Sequence, residues 1–505
     1  MAAVTLRAAP GSPLTGAPLA LALGAGVGAG FLSTQPLVAL ALAVSLPFLL
    51  LTSVRTKVLV YFAVLPLIGA VKYQLPQTEV QGLPDLVALA ILLHLGWEFI
   101  GGRLRFPVSH PAVAGVLLYA LTIIVQSQAP LVAARGVGIP GARIYLEPLI
   151  LFLAGVVVLR QPGTVRLFIR VGLVTAALVG LYMLKQLIIG FSPAELAFQT
   201  ERQNIRLVAE QRLFSTLSGP AVFGYVSGAF TLLGVVARAM RIWPRTSAAV
   251  AAVSALGVVA SGTRIVLIAL LPAAAVLVVL LLNDRRTKRM AGSVLGVGLC
   301  GVVALVALLV VTPTPSTRDA TFESPNAITA SVEKLALLKQ GSADEDWAAR
   351  TERAGLFLNF IGRHPWGSGA GFTLLVDEQG PPQAGTFRFR TDLPRYVEGE
   401  PWIFQRDFYY FALGVELGLL PLLLFLGLLF GGLALAIDGW RATEERTARL
   451  LLGLSASILT LTLVHNLANE SFRAPQVSGY VWFMLAVPVV FNPRFSTSWS
   501  RLTRT

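Results

Sequence analysis

The chain has 505 residues, of which 55% are hydrophobic and only 13% are charged, and its mean hydropathy is +0.72. A soluble protein carries about twice this share of charged residues, so the composition excludes a soluble globular enzyme. Lys and Arg that flank membrane spans on the cytoplasmic side account for the formal net charge of +14. Since the sequence has no nucleic-acid-binding motif, this charge indicates a chain surrounded by membrane lipids and no nucleic-acid partner.

Long apolar segments with almost no charge divide the chain into candidate membrane spans. About 20 apolar residues cross the hydrocarbon core of a bilayer, and segments 265–282 and 417–435 are typical of this pattern. The pattern predicts about 14 spans, of which the first two could instead form one re-entrant pair. The predicted spans are 18–32, 36–52, 57–71, 83–100, 110–126, 144–159, 167–190, 219–237, 246–261, 264–282, 291–311, 405–435, 448–466 and 476–491. The predicted fold is all-α, a polytopic transmembrane helical bundle of about 12–14 spans.

The connections between these spans alternate in charge. The even-numbered connections and the C-terminus are short and basic, with Arg55 and Lys57, Arg103 and Arg105, Arg160 and Arg166, Arg238 to Arg245, Arg285 to Arg289, Arg441 to Arg449, and Arg494 to Arg504. By the positive-inside rule, these segments and both termini are cytoplasmic. The expected organisation is a single membrane domain with spans in 1–311, an extracytoplasmic loop at 312–404, and spans and a cytoplasmic C-terminus in 405–505. Segments 326–340 and 344–363 of this loop have the spacing of amphipathic helices.

Cysteine and histidine are scarce. One thiol, Cys300, cannot form a disulfide within the chain, and the four scattered histidines do not form a metal cluster. The sequence therefore predicts no metal and no cofactor. The N-terminus has no clear small-residue cleavage site, so we expect it to be retained and not removed as a signal peptide.

Polar residues gather at the predicted outer ends of the spans. Arg212 precedes a helix entrance rich in Ser, Thr and Gly, where a guanidinium and a helix N-terminus together favour a phosphate. Arg264 follows a Ser-Gly-Thr turn at the start of a span, where it could bind an anion or extend to interfacial water. Arg353 begins a helical segment that ends in a Gly-rich turn at 367–371, whose N–H groups would suit a phosphate or a sugar.

Three further outer segments carry polar side chains. These are Asp407 at the start of the twelfth span, His465, Glu470 and Arg473 in the connection after the thirteenth, and Arg143 with Glu147 at the start of the sixth. Because Arg143 and Glu147 are four residues apart on a predicted helix, a salt bridge between them is expected.

Taken together, these segments resemble the O-antigen ligase and polysaccharide polymerase superfamily over roughly residues 140–491. RLFSTLSGPAVFGYV is similar to the family element R-x-x-G-T-F-x-N-P-N-x-F-A, and SGTR to the S-x-S-R turn. RAGLFLNFIGRHPWGSGAGF resembles the run that contains hP-x-G-x-G. RDFYYFALGVELGLLPLLLFLGLLF is similar to H/D-N-x-Y-L-x-x-x-x-E-x-G-L-x-G-x-x-x-F. The order of these elements and the large outer loop also match the family.

The resemblance implies a glycosyltransferase of the bacterial inner membrane. Its donor would be a glycan linked to undecaprenyl pyrophosphate, and its acceptor a glycan or a lipid. The implied pyrophosphate ligands are Arg212, Arg264 and Arg353, with Arg143 and Arg473 as second choices. The implied base is Asp407, then His465 or Glu470. Pyrophosphate is already a good leaving group, so we expect the reaction to be metal-independent.

Two departures from the family pattern bear on the reaction. The Asn-Pro-Asn element reads Ser218-Gly219-Pro220-Ala221, and the His-Asn position reads Arg406-Asp407. The missing His favours a repeat-unit polymerase over a ligase. A polysaccharide transporter or lipid-oligosaccharide flippase is the alternative, although transporters tend to hold their polar residues near the bilayer midplane and not at the outer ends of spans.

Overall fold

The computed structural model describes residues 52–73, 77–104, 106–134, 136–201, 212–283, 288, 354–355, 357–372, 409–469 and 471–494. All regular secondary structure in these ranges is helical. The predicted spans at 18–32, 36–52 and 291–311 lie outside the described residues, and so does the predicted amphipathic segment at 326–340.

The helices of the described residues are numbered here in chain order. They are α1 (Val54–Val64), α2 (Ile68–Lys72), α3 (Gln77–Ile100), α4 (Pro111–Ser127), α5 (Pro130–Ala134), α6 (Gly138–Val158), α7 (Thr164–Ile188), α8 (Pro193–Glu201), α9 (Pro220–Ala239), α10 (Pro244–Ala260), α11 (Arg264–Leu282), α12 (Tyr409–Leu417), α13 (Leu419–Ala442), α14 (Arg446–His465) and α15 (Pro475–Phe491). The 3-10 turns Leu65–Leu67 and Ser471–Arg473 precede α2 and α15. Proline is the first residue of α4, α9, α10 and α15. Its fixed φ suits the first turn, and its missing N–H has no partner there in any helix.

Length and apolarity make this an all-α membrane bundle, as the sequence predicts. Among the described residues, 7 helical segments are long and apolar enough to cross a membrane: Val54–Val71, Gly138–Val158, Thr164–Ile188, Pro220–Ala239, Arg264–Leu282, Leu419–Ala442 and Arg446–His465. The apolar helices α4, α10 and α15 are shorter, at 17 residues each. Most of their boundaries lie within a few residues of the predicted spans.

The prediction of one continuous span at 405–435 is wrong. The structure divides its described part into α12 and α13, which are separated by Gly418 at φ 89° and ψ −179°. This backbone conformation is open to glycine and strained for any other residue. The membrane-crossing helix therefore begins at Leu419, and Glu416 belongs to a separate short helix, Tyr409–Leu417.

The core of the bundle consists of α9, α14 and α15. Of the 18 most apolar consecutive residues in each helix, 83% are buried in α9 and 72% in α14. The corresponding shares are 33% in α13 and 39% in α11, so α13 and α11 lie at the periphery. Small residues allow close helix approach. A Cβ atom on Gly155 would lie 2.8 Å from the Cβ of Ala486, and one on Gly234 would lie 2.8 Å from the carbonyl oxygen of Ser247.

Polar groups meet at the two ends of the bundle. At one end, which we call the basic end, Arg494 pairs with Asp438 at 3.0 Å and Arg446 donates to the carbonyl oxygen of Ala239 at 2.8 Å. These contacts join connections that the sequence predicts on one side of the membrane. The other end, which we call the site end, contains residues 128–137, 212–219, 261–263, 357–372 and 466–474. The cytoplasmic placement of the basic end stays a prediction.

Candidate active site

A cavity of about 200 Å³ opens at the site end between α3, α6 and the residues that precede α9 and α15. Its polar lining consists of Asp85, Arg143, Glu147, Ser218, Arg473 and Gln476. The rest of the wall is apolar and consists of Pro84, Ile144, Pro148, Ala474 and Pro475. Because a proline inside a helix leaves the carbonyl one turn earlier without its donor, Pro84 and Pro148 interrupt the regular hydrogen bonding of α3 and α6 beside the cavity.

Two carboxylates and an arginine meet on one side of this cavity. The Arg143 guanidinium lies 3.2 Å from Asp85 Oδ2, and these side chains are 56% and 25% exposed. Glu147 accepts a hydrogen bond from the Tyr61 hydroxyl at 3.3 Å and lines the cavity together with Asp85. The expected Arg143–Glu147 salt bridge is therefore wrong: the ion-pair partner of Arg143 is Asp85, which α3 brings to α6 from a distant part of the sequence.

Arg473 enters the cavity from the opposite side and is held by a buried network. Its guanidinium lies 3.0 Å from Glu416 Oε1, and these side chains are 13% and 2% exposed. The Tyr145 hydroxyl donates to Glu416 Oε2 at 2.5 Å and accepts from Arg473 at 3.3 Å. An ion pair with so little exposure is weakly screened, and both partners are fixed by further hydrogen bonds. The direction of the Arg473 side chain is thus set by α12 and α6.

Arg212 and the Ser-Gly-Thr-Arg turn come together at a second place on the site end. Arg212 Nε donates to the carbonyl oxygen of Ser261 at 3.0 Å, and its terminal nitrogen donates to Thr263 Oγ1 at 2.9 Å. Arg264 is the first residue of α11, directly after Thr263, and is half-buried. The structure thus brings Arg212 and Arg264 to one turn, whereas Arg143 and Arg473 line the cavity. Ser218, six residues after Arg212 in the chain, lines the cavity.

Most N–H groups of the Gly-rich turn are used within the protein, which favours a connecting turn, the alternative to a phosphate or sugar site. Those of Ser368, Gly369 and Ala370 donate to the carbonyl oxygens of Val415, Glu416 and Gln126, at 2.8, 2.8 and 3.1 Å. Gly367, Gly369 and Gly371 all have positive φ and lie against neighbouring chain segments. This turn therefore joins α4, α6 and α12 and holds the short helix that carries Glu416.

His465 is placed inside the bundle. It is the last residue of α14, has 0% exposure and packs beside the Tyr225 ring, with 5.1 Å between ring centroids. As placed, the imidazole does not line the cavity, so its role as a base stays a prediction that would require the ring to become accessible. Arg353, Asp407 and Glu470 lie outside the described residues, and their roles also stay predictions.

Asp85 and Glu416 were not among the site residues expected from the sequence. The signal for both was present, because each is a carboxylate within an apolar helical segment. An ionisable residue at such a position is costly unless it is paired and functional. What the sequence did not contain was the identity of the partners, Arg143 and Arg473, which come from other helices.

The family comparison now bears on this geometry. The family model described as O-antigen ligase matches residues 249–426, less than half of the chain. The resemblance to the O-antigen ligase and polymerase superfamily is confirmed. No curated protein matches the sequence. The matched region contains the Ser-Gly-Thr-Arg turn, α12 and Glu416, and it indicates glycan transfer of the O-antigen ligase type on a glycan or lipid substrate.

The cavity extends the site beyond the part of the chain that the O-antigen ligase family model covers. Asp85, Arg143, Glu147 and Arg473 all lie outside residues 249–426. Glu416 lies inside them and holds Arg473 by an ion pair. The matched region is therefore connected to the cavity by a buried charge contact.

Proposed function

We propose that this protein transfers glycan from undecaprenyl pyrophosphate at the outer face of the bacterial inner membrane, as a metal-independent repeat-unit polymerase. The observation that carries the proposal is the cavity at the site end, where Arg143 and Arg473 converge from α6 and from the turn before α15. In the proposed orientation, the basic end and both termini are cytoplasmic, and the site end is extracytoplasmic.

The two arginines supply what the departure of a lipid diphosphate requires. Negative charge develops on the pyrophosphate as the anomeric C–O bond breaks, close to a low-dielectric membrane. Guanidinium groups remain cationic and bind phosphate oxygens through paired N–H donors. Arg473 is held in place by Glu416 and Tyr145, so it needs little reorganisation. Arg143 is more exposed and is free to turn towards a lipid head group.

Arg212, Arg264 and Arg353 remain proposed as further pyrophosphate ligands. Arg212 already uses its guanidinium to hold Ser261 and Thr263. Its first effect would therefore be to fix the turn from which Arg264 starts α11. The Arg264 guanidinium could then meet a phosphate that extends from the cavity along Ser218.

The preference for a polymerase rests on Arg406-Asp407, which replaces the family His-Asn pair. A polymerase adds the growing glycan to the next repeat unit, so its acceptor is itself a lipid-linked glycan. A ligase would transfer once to a different lipid or protein acceptor. These two reactions share the donor chemistry and differ only in the second substrate.

The test uses the full chain in proteoliposomes with undecaprenyl-pyrophosphate-linked oligosaccharide. We expect a ladder of lengthened glycans that persists in EDTA. Arg143→Gln and Arg473→Gln should each lower the rate by about 100- to 1,000-fold, since one preorganised donor to developing charge contributes about 3–4 kcal/mol. Arg494→Gln is the matched control, because Arg494 also pairs with a half-buried carboxylate, at 3.0 Å, but at the basic end.

Each other outcome has a definite meaning. A single transfer to a lipid acceptor would replace polymerase by ligase, and loss of the ladder in EDTA with recovery in magnesium would refute metal independence. Movement of the intact lipid-linked oligosaccharide across the vesicle, without any new glycosidic bond, would refute glycan transfer and support a flippase.

A further inference from the structure

Two acidic side chains stand at the site end, Asp85 on α3 and Glu147 on α6. Asp85 pairs with Arg143, and Glu147 accepts a hydrogen bond from the Tyr61 hydroxyl. Both groups line the same cavity as the two arginines. An acidic pair placed there contributes repulsion towards a diphosphate, so its presence calls for a different chemical role.

The two acidic side chains differ in their neighbours. The Arg143 guanidinium is 3.2 Å from Asp85 Oδ2 and forms a charge-assisted contact with it. Glu147 has no arginine or lysine at that distance among the described ion pairs, and the Tyr61 hydroxyl donates to its Oε1 at 3.3 Å. Asp85 is therefore the member of the pair that is joined to a proposed pyrophosphate ligand.

We propose that Asp85 is the catalytic base that deprotonates the acceptor hydroxyl. This inference rests on the proposed glycan transfer. The acceptor O–H bond breaks and its proton passes to the Asp85 carboxylate, while the acceptor oxygen forms a bond to the anomeric carbon. The bond between that carbon and the pyrophosphate oxygen breaks, and the electron pair leaves on the lipid pyrophosphate. Asp85 then returns the proton to water.

Arg143 couples donor binding to the base. Its guanidinium lies against Asp85 Oδ2. A pyrophosphate bound between Arg143 and Arg473 competes for the same N–H donors, because five donors must serve two anions. As Arg143 turns towards the phosphate, Oδ2 becomes accessible to a hydroxyl group in the cavity. The acceptor is then deprotonated only when the leaving group is in place.

The experiment separates chemistry from binding. Asp85→Asn should lower kcat by about 100-fold or more, the usual contribution of a general base. The affinity of Asp85→Asn for undecaprenyl pyrophosphate should be unchanged or higher, since Arg143 no longer pairs with a carboxylate at residue 85. Asp85→Glu should restore part of the rate. Asp438→Asn is the matched control, because Asp438 is 30% exposed and pairs with Arg494 at 3.0 Å, much as Asp85 is 25% exposed and pairs with Arg143 at 3.2 Å.

The pH profile identifies the group that titrates. The charged or titratable groups around Asp85 are Arg143, Glu147, Tyr61 and Arg473, of which only Glu147 could also lose rate by protonation in acid. The rate of the wild-type protein should therefore fall with acidification. Glu147→Gln should keep this acid limb, and the residual activity of Asp85→Asn should lack it.

Wild-type kcat in Asp85→Asn would overturn the proposal, and so would a loss of undecaprenyl pyrophosphate binding as large as the loss of rate. If Asp85→Asn fails to fold, the pH profiles still test the proposal. A wild-type rate that does not change on acidification would overturn it, and so would the loss of the acid limb in Glu147→Gln. If wild type transfers no glycan, the proposed function fails instead. If wild type and Asp438→Asn are active and Asp85→Asn matches them, only the role of Asp85 is refuted.

Discussion

Breaking the buried ion pair between Glu416 and Arg473 should destabilise the bundle more than any change to a surface charge. Glu416 is 2% exposed and Arg473 is 13% exposed, with 3.0 Å between Oε1 and the guanidinium. Glu416→Gln keeps the size and a hydrogen-bond acceptor but leaves the arginine without its counter-charge. Arg473→Met removes the guanidinium from the buried carboxylate of Glu416, which still accepts from the Tyr145 hydroxyl at 2.5 Å.

The expected magnitude follows from burial. Removing one partner of a buried pair costs about 3–5 kcal/mol, because the remaining charge stays desolvated. Glu416→Gln should lie near the lower bound, since the amide oxygen still accepts from Tyr145 and Arg473. The double variant removes both charges, and it should cost clearly less than the sum of the single variants, by about 2 kcal/mol or more.

The assay is reversible unfolding in mixed micelles, in which the denaturing detergent fraction is varied and the free energy of unfolding is compared across the cycle. Asp438→Asn provides the control, because an exposed pair with Arg494 is worth only about 0.2–1 kcal/mol. The prediction is refuted if each single variant lowers the free energy of unfolding by less than about 1 kcal/mol. It is also refuted if the loss in the double variant equals the sum of the two single losses within about 0.5 kcal/mol.

Three further predictions concern the residues around the site. Gly371→Ala should destabilise strongly, because φ is +86° and a Cβ atom would lie 2.4 Å from a backbone oxygen; Gly355→Ala, with nothing within 4 Å, is the control in the same thermal unfolding assay. Arg212→Ala should cost about 1–3 kcal/mol in unfolding experiments, since it removes two hydrogen bonds to the turn at Thr263, and a cost near zero would contradict this contact. Burial raises the pKa of Glu195, but hydrogen bonds from Lys185, Gln186 and Ser192 outweigh it and lower the pKa overall. The ionised Glu195 should therefore stabilise the folded protein fully at pH values above the pKa of Glu195 in the unfolded chain. This stabilisation should be lost as the pH falls through the lower pKa of Glu195 in the folded protein. If the melting temperatures of wild type and Glu195→Gln change equally with pH, this prediction is refuted.

Local properties of the sequence determined the membrane architecture. Apolar length alone places helices such as Arg264–Leu282, because an unpaired backbone cannot exist in hydrocarbon and only a helix satisfies it locally. Proline at the first helical position marks several helix starts. The basic connections and the motifs of the family resemblance can also be recognised in single segments of the sequence.

The helix break at Gly418 could not be predicted from local sequence patterns. By hydropathy the segment at 405–435 is continuous, and a glycine inside an apolar run is tolerated in many membrane helices. The break occurs because Gly367 and Pro365 pack directly against Gly418, and a hydrogen bond from Leu419 to the carbonyl oxygen of Pro365 replaces the helical one. That partner is distant in sequence, so no local pattern contains it.

The charge pairs divide in the same way. The sequence by itself determined that Arg143 and Arg473 stand at the ends of membrane helices, where an arginine needs an anion. Only the tertiary structure decided that Asp85 and Glu416 are those anions and that one cavity joins both pairs. The physical reason is that burial and Coulomb energy depend on distances between helices, and those distances are set by packing along the whole bundle and not by spacing along one helix.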